Sequence, residues 1–171
     1  IAGPGFLNLR LSHSWFENVL NNITAEGAEY GRTAAEKPEK VMVEFVSANP
    51  TGPMHMGNAR GGVLGDCLAE VFHRAGYDIW REFYVNDAGN QINKFAQSID
   101  ARYQQIILGE ENVPFPEDGY HGDDIRELAK AFYEVHGDSY KDASVEDRHA
   151  ALAKFGLDHN IPKMKTDLQR Y

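Results

Sequence analysis

The spacing of apolar residues changes sharply along residues 41–76. Over residues 41–46, β-branched and aromatic side chains recur with a two-residue period, which predicts a strand. Residues 49–53, Asn-Pro-Thr-Gly-Pro, are turn formers that end this strand. From about Gly57 the period becomes helical, and Gly76 is placed to end the helix. The predicted apolar face of the helix consists of Val63, Leu64, Cys67, Leu68, Val71 and Phe72.

The same patterns predict elements on either side of this tract. Residues 6–11 alternate as a short strand, and Ser12 or Ser14 is placed to cap a helix that follows. A second strand is predicted over residues 78–85, with Tyr77, Ile79, Phe83 and Val85 on one face.

Three more helices are predicted after the second strand. Asp87 is placed to cap a helix that ends near Gly109 and buries Ile92, Phe95, Ala96, Ile99, Tyr103 and Ile106. Residues 123–135 form the next helix, with Ile125, Leu128, Phe132 and Val135 facing the core. Ser144 caps the last helix, and Pro162 predicts a break or kink near Asn160.

The order strand, helix, strand predicts a parallel pair joined by a right-handed crossover. This unit is the first half of a doubly wound, Rossmann-like α/β sheet, followed here by helices. Ligands of such sheets bind beyond the carboxyl ends of the strands, where Asn49, His55, Asn86 and Asp87 fall. The helix N-terminus also offers free N–H groups and the positive end of its dipole to an anion. We therefore predict an anion site at this loop.

Composition narrows the class of protein. The chain has 171 residues, of which 42% are hydrophobic and 25% charged, which is typical of one globular domain. A net charge of −9 disfavours a surface that binds nucleic acid mainly through phosphates. Cys67 alone builds neither a disulfide nor a zinc site, and we expect it to be a small buried apolar residue. The sequence contains neither a membrane-crossing run nor a secretory leader, so we expect a cytoplasmic setting.

The loop before the first long helix contains a tetrapeptide that is similar to a known signature. His55-Met56-Gly57-Asn58 is similar to the His-Ile-Gly-His signature of class I aminoacyl-tRNA synthetases. Residues 44–53, Glu-Phe-Val-Ser-Ala-Asn-Pro-Thr-Gly-Pro, and residues 84–92, Tyr-Val-Asn-Asp-Ala-Gly-Asn-Gln-Ile, resemble the arginyl-tRNA synthetases. The resemblance is closest over residues 40–94 and weaker at residues 3–6 and 164–168.

The resemblance implies an activity and its substrates. A protein of this family activates L-arginine with ATP, as a complex with Mg²⁺, and transfers it to tRNA. It implies that His55, Gly57 and Asn58 bind ATP, with His55 and Asn58 donating to the phosphates as the arginine carboxylate attacks. Asn58 stands where the family more often has a second histidine, and its amide can donate but never becomes cationic. Gly57 would let adenine lie flat against the backbone, because a Cβ there would collide.

The resemblance also implies that Glu44, Ser47 and Asn49 bind the amino acid. A carboxylate on a strand covered on both faces needs a partner, and a guanidinium supplies two matching donors. We therefore assign the guanidinium to Glu44, and the amino or carboxylate end to Ser47 and Asn49. A solvent-facing strand residue is the alternative for Glu44.

The sequence assigns less specific roles to several further residues. Asp87 and Gln91 are predicted to support the site or to contact substrate, although a helix cap explains Asp87 equally well. Arg60 either steadies phosphates or covers the helix surface. His121, Asp123, Asp124 and His136 do not have a spacing that requires metal, and we expect no metal site.

The sequence also sets expectations about what the chain contains. The resemblance implies that residues 1–38 are the exit from an accessory domain, and that residues 39–171 are part of a catalytic domain with a helical insertion. Lys163-Met164-Lys165-Thr166 resembles the second class I signature, Lys-Met-Ser-Lys, but its helical spacing predicts a helix instead. The chain starts at Ile1 rather than Met, so we expect a piece of a longer protein, inactive alone because that signature is missing. The alternatives are a small-molecule nucleotidyltransferase and a non-catalytic binding module.

Overall fold

The computed structural model describes residues 3–171. The elements of that part of the chain are α1 (His13–Glu26), β1 (Lys40–Glu44), α2 (Met56–Arg74), β2 (Asp78–Glu82), α3 (Asn90–Leu108), α4 (Asp123–His136) and α5 (Val145–Arg170). Single 3₁₀ turns at Gly27–Glu29 and Glu110–Asn112 follow α1 and α3. Over these residues, the helices are all too short or too polar to cross a bilayer.

The chain divides into two compact units. One consists of the chain up to Val41 together with Leu68–Trp80, and the other of Met42–Cys67 together with Arg81–Tyr171. The boundary predicted between residues 38 and 39 separates a linker from a catalytic domain, which is a different division from that into compact units. That boundary stays a prediction.

β1 and β2 pair as a two-stranded parallel sheet, as the sequence predicted. The Asp78 N–H donates to the Glu39 carbonyl at 3.2 Å, and the Phe45 N–H donates to the Glu82 carbonyl at 3.2 Å. β1 is shorter than predicted because Val46 has φ +64°, a left-handed conformation that β-branched residues rarely adopt. The strand therefore stops before the loop that the sequence singled out.

The larger unit has a helical core formed by α3, α4 and α5. The buried side chains are those of Phe95, Ile99, Tyr103, Ile125, Leu128, Ala129, Phe132 and Leu152. Burial raises the pKa of Tyr103 above its ordinary value, so its hydroxyl stays protonated and donates to the Gly137 carbonyl at 2.8 Å. The predicted faces of α3 and α4 are confirmed except at their last members, since Ile106 is 43% exposed and Val135 is 68% exposed.

A few predictions about elements are wrong. Residues 6–11 form no strand, because only Phe6 makes an isolated bridge and the apolar side chains of this stretch are 54–77% exposed. Gly89, not Asp87, occupies the N-cap of α3. Cys67 is exposed rather than buried, and so is most of the predicted apolar face of α2.

The last helix also departs from its prediction. α5 runs unbroken through Pro162, which costs it one backbone hydrogen bond without ending it. Its start was predicted correctly, because the Ser144 hydroxyl accepts from the Asp147 N–H at 3.1 Å.

A buried ion pair joins α3 to the first turn of α5. Arg148 donates to both carboxylate oxygens of Asp100, from Nε at 2.5 Å and from Nη2 at 3.0 Å. His149 Nε2 lies 3.0 Å from the same carboxylate, and Arg148 Nη1 donates to the Ala143 carbonyl at 2.9 Å. Because each polar group has a partner, two charged side chains are tolerated at only 8% exposure.

Removing one partner of this pair should destabilise the protein strongly. In Arg148→Met the Asp100 carboxylate stays buried with His149 as its remaining partner, so the free energy of unfolding should fall by about 3–5 kcal/mol. Urea denaturation measures the fall. In the control Lys154→Met, which breaks the exposed pair with Asp158, the change should stay below about 1 kcal/mol. Equal changes in the two variants would show that the buried pair contributes no more to the free energy of unfolding than the exposed pair does.

Candidate active site at the end of β1

A cavity of about 640 Å³ opens where the loop after β1 meets the start of α4. The loop contributes one wall and the first turn of α4, with the residues just before it, contributes another. The lining residues include Ser47, Asn49, Thr51, Gly52, Pro53, Met54, His55, Asn58, Gln91, Tyr120, His121, Gly122, Asp124 and Met164. Four residues of the predicted site, Ser47, Asn49, His55 and Asn58, are therefore brought to one cavity.

His55 and Asn58 cap the N-terminus of α2 reciprocally. The Gly57 N–H donates to His55 Nδ1 at 3.1 Å, and the His55 N–H donates to Asn58 Oδ1 at 3.0 Å. The bond from the His55 N–H to Asn58 is that of a capping box, whereas the His55 side chain accepts from the second helical residue, Gly57, rather than from the third. The signature residues thus start the helix as well as facing the cavity.

The capping bonds determine which atoms of the two side chains remain free to contact a ligand. A backbone N–H can only donate, so His55 Nδ1 must be the unprotonated acceptor, and the neutral ring carries its proton on Nε2. The same reasoning commits Asn58 Oδ1 as an acceptor and leaves the Nδ2 amide as the donor. Each side chain therefore keeps one donor for an anion.

The expectation of free backbone N–H groups at this helix end is wrong for three residues. The N–H groups of His55, Gly57 and Asn58 all have partners within the capping turn. An anion at this position would be held by side-chain donors and the helix dipole. A Cβ added at Gly57 would lie 2.9 Å from His55 Cε1, so glycine keeps the imidazole in its capping position.

Glu44 is exposed, which corrects the expectation of a strand covered on both faces. Every second residue of β1 faces solvent, and Glu44 is one of them. Its carboxylate accepts from the Ser47 hydroxyl at 2.7 Å, and that hydroxyl accepts from the Tyr84 N–H at 3.0 Å. Ser47 therefore links the ends of both strands and connects Glu44 to the cavity lining.

Asn49 is held on both sides of its amide. Asn86 Nδ2 donates to Asn49 Oδ1 at 3.0 Å, and Asn49 Nδ2 donates to Gln91 Oε1. Gln91 also lines the cavity, and its supporting role stays a prediction. Asp87 and Arg60 are exposed and lie outside the lining of this cavity.

Sequence reasoning missed the wall that Tyr120, His121 and Asp124 provide. The Tyr120 N–H donates to the buried Ser98 hydroxyl at 2.9 Å, which fixes this segment against α3. Asp124 lies in the first turn of α4, and a Cβ at Gly52 of the loop would lie 3.4 Å from its Oδ2. The only sequence signal was a run of His, Gly and Asp at a predicted helix start, which is common at helix caps.

The remaining polar clusters do not converge. Asp123 and Asp124 begin α4 and His136 ends it, about 18–20 Å away at the helical rise per residue. Over residues 3–171, the His, Cys, Asp and Glu side chains form no group of three that could hold a metal ion. Lys163, Met164 and Lys165 lie inside α5, so the prediction that they are helical is confirmed.

The site, apart from Met164, lies within a stretch that matches a protein family. The model of the tRNA synthetases class I (R), catalytic domain, matches residues 19–131. The chain belongs to this family, and the fold class predicted from its sequence is confirmed.

Individual relatives carry the name of arginine–tRNA ligase. That of Acetivibrio thermocellus is 53% identical over 170 residues, covering 99% of this chain and 30% of the relative. That of Caldanaerobacter subterraneus is 55% identical over 171 residues, covering 100% of this chain and 30% of the relative. The chain spans about 30% of the length of these relatives.

A solved structure shares the fold. The crystal structure of an arginyl-tRNA synthetase from Campylobacter jejuni is 36% identical and superposes with a TM-score of 0.74. The match covers 93% of this chain and 34% of that chain.

The proton position on His55 can be measured directly. Long-range ¹H–¹⁵N correlation spectra of the chain above pH 8 should show the His55 ring as the Nε2–H tautomer, because Nδ1 accepts from Gly57. The chain has seven histidines, so the His55 signals are assigned by their loss in His55→Gln. A ring protonated on Nδ1 would contradict the capping geometry.

Proposed function

We propose that this chain is part of the catalytic domain of an arginine–tRNA ligase and that the cavity beside His55 binds arginine and ATP. The observation that carries the proposal is the reciprocal cap of His55 and Asn58, which leaves a donor nitrogen on each side chain at the wall of the cavity. The family match and the arginine–tRNA ligase relatives support the reaction. The tRNA would be bound largely by parts of a longer protein.

The arginine end of the site is proposed to run from Glu44 to Asn49. The Glu44 carboxylate is exposed and already oriented by the Ser47 hydroxyl, so it can bind a guanidinium without being desolvated first. Asn49, fixed by Gln91 and Asn86, would bind the amino or carboxylate end. Ser47 lies between Glu44 and Asn49 in the sequence and would fix the position of the Glu44 carboxylate relative to Asn49.

The chemistry is attack by an arginine carboxylate oxygen on the α-phosphorus of ATP. The P–O bond to pyrophosphate breaks, and arginyl-adenylate forms. His55 Nε2–H and Asn58 Nδ2–H donate to phosphate oxygens as their charge shifts, and a preorganised donor of this kind is worth about 2.7–4 kcal/mol. Mg²⁺ enters with ATP as part of the substrate. Gly57 is proposed to leave room for the nucleotide beside the imidazole.

Two other functions predict different ligand selectivity. A small-molecule nucleotidyltransferase would bind ATP without arginine, and a non-catalytic module would bind neither with measurable selectivity. The ordered Glu44–Ser47 contact and the fixed Asn49 amide favour an amino-acid site next to the nucleotide site.

Arginine-dependent exchange of pyrophosphate into ATP tests the proposal. A full-length protein carrying this chain, supplied with tRNA, should catalyse the exchange with arginine and not with lysine. The isolated 171 residues should give no exchange above background. Exchange by the isolated chain that disappears in His55→Ala would show that it holds a complete site, while indifference of the full-length protein to arginine would refute the assignment.

Glu44→Gln should separate the two substrates. The amide can still accept from Ser47, so the loop keeps its geometry, but the charged partner of the guanidinium is lost. A charge-assisted bond is worth about 1.5–3 kcal/mol, so the KM for arginine should rise by about 10- to 150-fold while that for ATP changes little. Steady-state kinetics of the full-length protein measure both constants. Equal rises would identify Glu44 as structural.

His55→Ala and Asn58→His should differ in their effect on adenylation. His55→Ala removes both the cap and a phosphate donor, so kcat should fall by about 10²–10³-fold. In Asn58→His a ring nitrogen can accept from the His55 N–H while the other donates, so much of the activity should remain at neutral pH. Activity lost equally in both variants would show that an imidazole cannot replace this amide.

A further inference from the structure

α5 buries one residue in every four along most of its length. These residues are Arg148, Leu152, Gly156, Asn160 and Met164. The first three contact the helical core, where a Cβ at Gly156 would collide with the Phe95 ring. Asn160 is the polar residue that continues this stripe towards the cavity, and it is only 8% exposed. A buried amide on a helix requires a partner, and its partner lies outside the helix.

The Asn160 Nδ2 amide donates to the Pro50 carbonyl at 2.9 Å, across 110 residues of sequence. Pro50 is less than 2% exposed and Thr51 is 8% exposed. The loop around them belongs to neither a helix nor a strand, so this carbonyl has no ladder partner. Asn160 satisfies a buried acceptor that regular structure does not reach.

The bond fixes more than one carbonyl. The proline ring fixes φ of Pro50, so only one backbone torsion of that residue separates the held carbonyl from the Asn49–Pro50 peptide. Asn49 is held from its other side by Gln91 and Asn86. The position of the Asn49 amide in the cavity thus depends on contacts from α3 and α5 together.

We propose that Asn160 is a positioning residue for the reaction, which holds the loop from Asn49 to His55 in its binding geometry through the Pro50 carbonyl. The inference rests on the proposed function, and it adds a residue of α5 that does not line the substrate cavity. Asn160 instead lines a separate cavity of about 180 Å³, together with Lys163 and Glu127.

Two substitutions remove the donor in different ways. Asn160→Asp keeps the size of the side chain and, in its ionised form, turns an acceptor oxygen towards the carbonyl, whereas Asn160→Leu leaves the carbonyl without a partner at any pH. The matched control is Tyr103→Phe, which removes a bond of 2.8 Å to the Gly137 carbonyl in the same helical core and away from the cavity. All three variants should lose stability, so each measurement is made where the protein is fully folded.

Adenylation kinetics of the full-length protein test the positioning role. Asn160→Asp and Asn160→Leu should lower kcat/KM for arginine by about 100-fold, the scale expected for a displacement of about 1 Å. The KM for arginine should rise and kcat should fall, while Tyr103→Phe should change kcat/KM less than about threefold. Similar losses in Tyr103→Phe and the Asn160 variants would overturn the proposal, because Asn160 would then act only through stability.

Hydrogen exchange on the 171-residue chain tests the same role without any activity. The His55 and Gly57 amides, which are bonded within the capping turn, should exchange at least tenfold faster in Asn160→Leu and at the unchanged rate in Tyr103→Phe. Unchanged exchange in Asn160→Leu would refute the positioning role. If the full-length protein does not use arginine, the proposed function fails while this measurement still decides whether Asn160 holds the loop.

Discussion

The packing of α5 against the helical core is the constraint on which the larger unit depends. A repeat of four residues follows a row that is slightly inclined to the helix axis, so the buried face of α5 turns gradually as the helix advances. At Arg148 this face meets a carboxylate of α3, at Gly156 it meets an aromatic ring, and at Asn160 it meets the loop after β1. One helix therefore stabilises the core and the site through the same stripe of residues.

The start of α2 shows how the local chemistry of the site follows from backbone requirements. A helix N-terminus must satisfy its first N–H groups, and here His55 and Asn58 do so with one atom each. Those bonds orient the imidazole and the amide, and they leave the Nε2 and Nδ2 donors uncommitted within the cap. The same contacts of His55 and Asn58 start the helix and orient the donor groups. A substitution that keeps a donor group but loses the cap would therefore still misplace that donor.

Much of the fold was predictable because its helices have strong periods and clear ends. The core faces of α3 and α4, the Ser144 cap and the parallel strand pair all followed from local sequence. The errors arose where a long-range partner decides the outcome. Residues 6–11 have a strand pattern but form only an isolated bridge at Phe6, and Pro162 is tolerated because α5 is packed on both sides of it.

The candidate site was predictable only on one side. His55, Asn58, Ser47 and Asn49 were found because they lie in a compact motif, and the structure brings them to one cavity. The opposite wall around Asp124, and the support from Asn160, come from segments about 65–110 residues away in sequence, and their residue types are ordinary for helix ends and helix cores. Spacing within one element carries no information about which loop that element will meet.

The left-handed backbone of Val46 adds a consequence for the whole loop. Placing a β-branched residue in the left-handed region costs on the order of 1–3 kcal/mol relative to an extended conformation. The sequence around Val46 favours the extended conformation. The turn away from β1 is therefore locally frustrated and is imposed by tertiary contacts. A synthetic peptide copying residues 41–58 would relax into a different shape, so the loop conformation at the candidate site exists only in the folded chain and cannot be reproduced by a short peptide.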